Sequence, residues 1–268
     1  MIKLIAIDID GTLVNDQREI TAEVKTAIQR AKAQGVKIVI TTGRPFPGVK
    51  AILEELNLLE VGDYVITFNG ALVVHTNDHS DFIRTPLAYT DFLDIERFAR
   101  ELNVHQHTIT PEGIYTSNRD ISKYSVHEAF IVQMPLHYRT PEEITSDMEI
   151  IKCMYIDEPE LLDKIIPLVE QKWRDRFTLV RSTPFYFELL NKKASKGNAV
   201  LALAEKLGIK QEETMAIGDA DNDLSMLEVV HLPVAMANST DNVLAVAKAV
   251  TKSNNEHGVA YAIEQWVL

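Results

Sequence analysis

The feature that most constrains this chain is the spacing of its short apolar runs. "KLIAIDI", "KIVITTGR" and "DYVITFNG" read as buried strands, and each breaks off at a Gly-containing turn. Between the first two lies Thr21–Gln34. There Val24, Ala27, Ile28 and Ala31 recur at helical spacing, Thr21 stands where a cap belongs, and Gly35 follows the end. A second helix is predicted from about Gly48 to Leu56. Strands that alternate with helices pair in parallel, so the expectation is an α/β fold with a Rossmann-like parallel sheet. The rhythm breaks from about Ile83 to Asn191 and returns after Lys196. It resumes with a helix over Gly197–Leu207, the strand "ETMAIGD", a helix over Asn222–Val230 and the strand "LPVAMAN". Helices near Asp241–Ala247 and Val259–Trp266 complete it. Residues 1–83 and 192–268 are therefore predicted to form one core domain. Residues 84–191 are predicted to form an inserted α+β domain. Its pieces include a helix over Asp91–Leu102, the strand-like "GIYTS" and "IIKCMYID", and a hairpin of "FTLVRS" with "PFYFELL".

The core strands end in polar residues suited to a site: Asp8, Thr42, Asn69 and Asp219. In open α/β sheets ligands bind beyond the carboxyl ends of the strands. Any one strand ending in a polar loop is ordinary. Four doing so, beside the acidic pair Asp8 and Asp10 and the cluster "GDADND", point to a site. Spaced aspartates also suggest a calcium loop, but that pattern requires Gly at position six and Glu at position twelve. Counted from Asp219 those places hold Leu224 and Val230. Counted from Asp8, Glu19 stands at position twelve, but Leu13 holds position six. Neither common glycine-rich nucleotide loop occurs.

Carboxylates with few other charges suit Mg²⁺, which favours carboxylate and phosphate oxygens. A carboxylate is also a nucleophile toward phosphorus, forming an aspartyl phosphate. Its approach is opposed by repulsion, about 4 kcal/mol for two unit charges at close range in a partly buried site. A divalent cation and a lysine relieve that repulsion, and Lys196 stands before a predicted helix N-terminus. Thr42 and Asn69 offer donors to phosphoryl oxygens. Asp10 is placed to protonate the leaving alcohol and then to activate water.

This set resembles the haloacid dehalogenase superfamily of phosphatases. The resemblance rests on Asp8-Ile9-Asp10-Gly11-Thr12, Thr42-Gly43-Arg44, Lys196-Gly197 and Gly218-Asp219-Ala220-Asp221-Asn222-Asp223, in that order. The insert resembles the superfamily's larger, C2-type cap. The stretches "ITTGRP", "FNGA", "YTSNRDISKYSVHEAF" and "TKSNNEHGVA" are similar to the Cof-type sugar phosphatases over essentially the whole chain. The resemblance implies that Asp8 is nucleophile and Mg²⁺ ligand, and that Asp10 is the acid/base with its carbonyl on the metal. Asp219 would be a further ligand, and Asp223 would hold a metal-bound water or orient Lys196. Thr42, Gly43, Lys196 and Asn222 would bind the phosphoryl group, with Arg44 and Asn69 lining its entry side. His257 departs from the family, where an acid is frequent.

The expected function is Mg²⁺-dependent hydrolysis of small phosphorylated metabolites, sugar phosphates above all. A phosphomutase of the same fold and a non-enzymatic phospho-accepting regulator are the alternatives. With 268 residues and a net charge of −12, the chain lacks the basic stripe that nucleic acid requires. No run is long enough to span a membrane, and no leader pattern opens the chain. One cysteine, Cys153, excludes an internal disulfide and fits a cytoplasmic setting. Whether the chain is a monomer or a homodimer stays open. In the insert, His105 and His107 alternate as if on one strand face, without a matching carboxylate for a metal site. His127, Tyr115, Arg119 and Asp120 are insert residues with no role the sequence can choose.

Overall fold

The computed structural model describes all 268 residues, which divide into two compact units: Met1–Ile83 with Ser195–Leu268, and Arg84–Ala194. The turn Lys192–Ala194 belongs with the inserted unit, and the core resumes at Ser195. No helix is long and apolar enough to cross a membrane.

The first stretch of the core runs β1 (Leu4–Asp8), α1 (Ala22–Ala33), β2 (Lys37–Thr41), α2 (Lys50–Glu55), β3 (Tyr64–Thr67), β4 (Leu72–His75) and β5 (Asp81–Arg84). The inserted unit contributes α3 (Tyr89–Leu102), β6 (Gln106–Thr110), β7 (Gly113–Thr116), α4 (Lys123–Val132), β8 (Leu136–Tyr138), β9 (Lys152–Ile156), α5 (Pro159–Trp173), β10 (Phe177–Thr183) and β11 (Tyr186–Asn191). The core returns with α6 (Lys196–Lys206), β12 (Thr214–Gly218), α7 (Leu224–Leu227), β13 (Leu232–Ala235), α8 (Asp241–Val246), β14 (Ala249–Val250) and α9 (Gly258–Trp266).

The core sheet has the order β14-β13-β12-β1-β2-β3-β4-β5. From β14 to β3 every pairing is parallel, and β4 turns back antiparallel on β3. All five residues of β1 are buried, as a strand covered on both faces requires. One face carries Leu4, Ala6 and Val39 against Ala199, Val200 and Leu203 of α6 and Met226 and Leu227 of α7. α1 packs on α9 and against β2, presenting Val24, Ala27, Ile28 and Ala31 inward. The chain leaves β1 toward β2 on one side and returns to its other side at β12. The strand order therefore reverses at β1, and the carboxyl end of β1 is the sheet's switch point.

The inserted unit holds a sheet of order β10-β11-β9-β6-β7-β8, largely antiparallel. One face packs Cys153, Tyr155, Phe187 and Leu189 against α3 and α5. The other buries polar groups: Lys152 pairs with Glu188 at 3.0 Å, both nearly inaccessible. His107 on β6 is fully buried between Ser125 Oγ and Met154 Sδ. His105 lies just before that strand and binds Asp157 instead, 2.7 Å from Nδ1. The two histidines thus form no common site. The helix expected over Asn222–Val230 is also shorter. Asp221–Asp223 form a 3₁₀ turn, and α7 spans only Leu224–Leu227.

Burial, with Lys152 adding to it, pushes the His107 pKa down to about 3. The folded protein therefore keeps this ring neutral while an unfolded chain protonates it below about pH 6.5. Stability from this group is present above that value and is lost as the pH falls toward the folded pKa. Between about pH 6.5 and 5 the expected loss is about 2 kcal/mol. It is read as the difference between wild type and His107→Gln in unfolding free energy. The His107 ring signals in an NMR titration should stay those of a neutral imidazole down to about pH 5.

Candidate active site

Asp8 is the last residue of β1, at the switch point, and is 5% exposed. Lys196 opens α6, whose first turn is capped by Ser195 Oγ accepting from the Asn198 N–H. Its ammonium lies 2.5 Å from Asp8 Oδ1 and 2.6 Å from Asp223 Oδ1, and its side chain is 1% exposed. The other oxygen of Asp223 accepts the N–H groups of Asp219 and Ala220, at 3.0 and 3.2 Å. Asp223 thereby ties the turn after β12 to the lysine. Thr12 Oγ1 donates to Asp219 Oδ1 at 2.7 Å, which turns Asp219 toward the end of β1. Gly11, at φ +81°, makes room for this: a Cβ there would stand 2.3 Å from Asp219 Oδ2. The hydroxyl of Thr12 was visible in the sequence as part of its motif, but its partner 207 positions away was not.

Asp8, Asp219 and Asp223 each bring a carboxylate oxygen within 4.8 Å of the others. One ammonium does not balance them. Burial raises the Asp8 pKa to about 7, with Asp223 and Asp219 adding to it and Lys196 opposing. Burial likewise raises Asp219 to about 6. Burial pulls the Lys196 pKa down, but Asp8 and Asp223 outweigh it and hold the ammonium protonated. A cluster of oxygens short of positive charge is the donor set that a hard divalent cation fits.

Thr42 and Gly43 follow β2, and Asn69 sits on the 3₁₀ turn Phe68–Gly70 after β3. The Asn69 N–H donates to the Thr42 carbonyl at 3.0 Å, and Asn69 holds φ at +54°. A Cβ on Gly43 would come 3.2 Å from the Asn69 amide, so these three residues form one edge. Thr42 Oγ1 accepts the Arg44 N–H at 3.1 Å. Arg44 Nη2 donates to both oxygens of Asp10, at 2.6 and 2.8 Å. Asp10 is not part of the buried carboxylate cluster; its side chain is 62% exposed. Asn222 is exposed on the turn Asp221–Asp223.

A family model described as haloacid dehalogenase-like hydrolase matches residues 5–263. A Streptococcus pyogenes protein named provisionally as a phosphatase is 54% identical over 267 residues, covering 100% of this chain and 99% of its own. Among solved structures, a haloacid dehalogenase-like hydrolase from Bacteroides thetaiotaomicron superposes with a TM-score of 0.84 at 29% identity, covering 99% of each chain. The subclass IIB sugar phosphatase BT4131 gives a TM-score of 0.80 at 25% identity, with 98% of each chain covered. A parallel sheet with this acidic cluster at its switch point, in such company, defines an enzyme that hydrolyses phosphoric monoesters. The chain belongs to the haloacid dehalogenase-like hydrolases.

The buried contacts of Lys196 make its removal costly. Lys196→Met leaves Asp8 and Asp223 facing each other without the ammonium, and breaking a buried pair in this way costs about 3–5 kcal/mol. Chemical denaturation of metal-free protein should show that loss. Adding Asp223→Asn to the variant should recover part of it.

Proposed function

We propose that this enzyme hydrolyses small phosphorylated metabolites, sugar phosphates foremost, through a phosphoryl group carried on Asp8. The observation that carries the reading is the placement of Asp8. It stands at the sheet's switch point, with Lys196 against one oxygen and two further carboxylates alongside. The likeness to a subclass IIB sugar phosphatase supports the choice of sugar.

Asp8 and Asp219 would hold Mg²⁺ with the Asp10 main-chain carbonyl, Asp223 supporting from behind. When bound, the ion supplies the positive charge that the carboxylates and the phosphoryl oxygens both need. The chain's own residues account for the rest. Lys196 keeps one oxygen of Asp8 fixed, so the other is free to face phosphorus. Attack forms the bond from that oxygen to phosphorus as the ester P–O bond breaks. Asp10 passes its proton to the departing alcohol oxygen. In the second step Asp10 takes a proton from water, whose oxygen bonds to phosphorus. The bond to Asp8 breaks, inorganic phosphate leaves and the carboxylate is restored. The edge formed by Thr42, Gly43 and Asn69 would cradle the phosphoryl oxygens, with Asn222 reaching them from the turn after β12. Arg44 holds the Asp10 carboxylate at the rim.

With a panel of sugar phosphates and Mg²⁺, the enzyme should release inorganic phosphate. A chelator should stop it, and Asp8→Asn should lose about a thousandfold in kcat or more. Retained activity in Asp8→Asn would remove the nucleophile. Transfer of the group to a second sugar hydroxyl, without free phosphate, would replace hydrolysis by a phosphomutase. A lasting phosphoaspartate without turnover would point to a phospho-accepting regulator.

A further inference from the structure

Asp8 is held by burial, but Asp10 is not. Its exposed carboxylate is held at its tip by Arg44 and at its base by the backbone of a single turn. That turn closes on itself through Leu13 N–H to the Asp8 and Ile9 carbonyls and Val14 N–H to the Ile9 carbonyl, at 3.0–3.2 Å. Asp10 and Val14 pair as an isolated bridge. Besides the Thr12 hydroxyl on Asp219, a set of asparagines far along the chain holds the turn from outside. Asn238 follows β13, and its Nδ2 donates to the Gly11 carbonyl at 2.8 Å. The Asn254 N–H donates to Asn238 Oδ1 at 3.0 Å. Asn254 follows β14, and its buried Nδ2 donates to the Val14 carbonyl at 3.1 Å and to Asp16 Oδ1 at 3.2 Å. Asn255 Nδ2 donates to the other Asp16 oxygen at 3.0 Å, and Asn255 Oδ1 accepts the Asp16 N–H at 3.1 Å. These contacts keep Asp16 ionised, with the Asn255 bond the largest cause.

The network therefore grips the carbonyls of Gly11 and Val14, both in the part of the turn that follows Asp10. We propose that Asn238 and Asn254 are positioning residues for Asp10, setting its reach toward the leaving oxygen and the attacking water. This rests on the acid/base reading of Asp10 given above. Neither asparagine needs to touch substrate. Each acts through a backbone carbonyl, so its loss should slow the chemical step and leave phosphate binding unaltered.

The test uses the full chain with Mg²⁺ and p-nitrophenyl phosphate, with inorganic phosphate as competing product. In Asn238→Ala and Asn254→Ala, kcat is expected to fall about tenfold or more, while KM and the inhibition constant for phosphate stay within about twofold. Asn238→Asp keeps shape and acceptor but loses the donor to Gly11, and should share the defect. In an Asp10→Asn background, followed at enzyme levels that make its slow turnover visible, Asn238→Ala should cost less than about twofold more. Equal losses in both backgrounds, an unchanged kcat, or a parallel rise in KM would overturn the inference. Asn238 is exposed and its truncation spares the core, so it carries the test where Asn254→Ala fails to fold. Wild-type turnover in Asp10→Asn itself would instead strike the acid/base reading, a separate outcome.

Discussion

The site depends on one buried ammonium. Lys196 lies between Asp8 and Asp223 with almost no access to water. A buried ion pair is a poor source of stability, because desolvating the charges offsets most of their attraction. Here the imbalance is greater still. Asp8, Asp219 and Asp223 carry three carboxylates against one ammonium, so the fully ionised cluster is short of two positive charges. A fold that only needed to be stable would fill this place with apolar side chains. The shortage makes sense where a divalent cation and a phosphoryl group are to be received.

The lysine is presented by a tightly confined backbone. A Cβ on Gly70, at φ +96°, would stand 2.1 Å from the Ser195 carbonyl oxygen, and one on Gly197 would stand 1.9 Å from that of Ser225. The start of α6 is thus wedged between the turn after β3 and the first residues of α7. That places a residue from the second half of the core beside the end of β1. The reversal of strand order at β1 does the same for Asp219, since β12 runs parallel and adjacent to it. Fold and site share one cause here: the parallel pairing that buries Ile5 and Ile7 also lines up the strand ends.

Much of this was legible in the sequence because the core strands are continuous apolar runs, which only a sheet covered on both faces explains. β6 was not, since "QHTIT" reads as polar, yet all five residues are buried. Hydropathy could not anticipate that Lys152 and Glu188, or His107 and Ser125, satisfy one another inside the inserted unit. α7 is shorter than the helical spacing of "NDLSMLEVV" predicts. Asp223 spends its side chain on the N–H groups of Asp219 and Ala220 and forces a 3₁₀ turn first. The residues of the site stood out by type, but their partners did not. Lys196 is 188 positions from Asp8, and Asn238 is 227 from Gly11.

The two carboxylates of the first motif show how much a single turn decides. In a continuing strand, residues two apart share a face, and Asp8 and Asp10 would repel across it. The strand ends at Asp8 instead. Ile9 stays fully buried, Gly11 takes a left-handed conformation, and Asp10 swings out to meet Arg44. One aspartate is left buried with its pKa raised, beside Lys196 and the two other carboxylates. The other stands at the rim, where solvent protons exchange. Nucleophilic attack and proton transfer act on opposite ends of the same breaking bond, so a pair of acids serving both must diverge. The turn that begins where β1 ends separates the two carboxylates within three residues, and Asn238 and Asn254 bind its carbonyls at Gly11 and Val14.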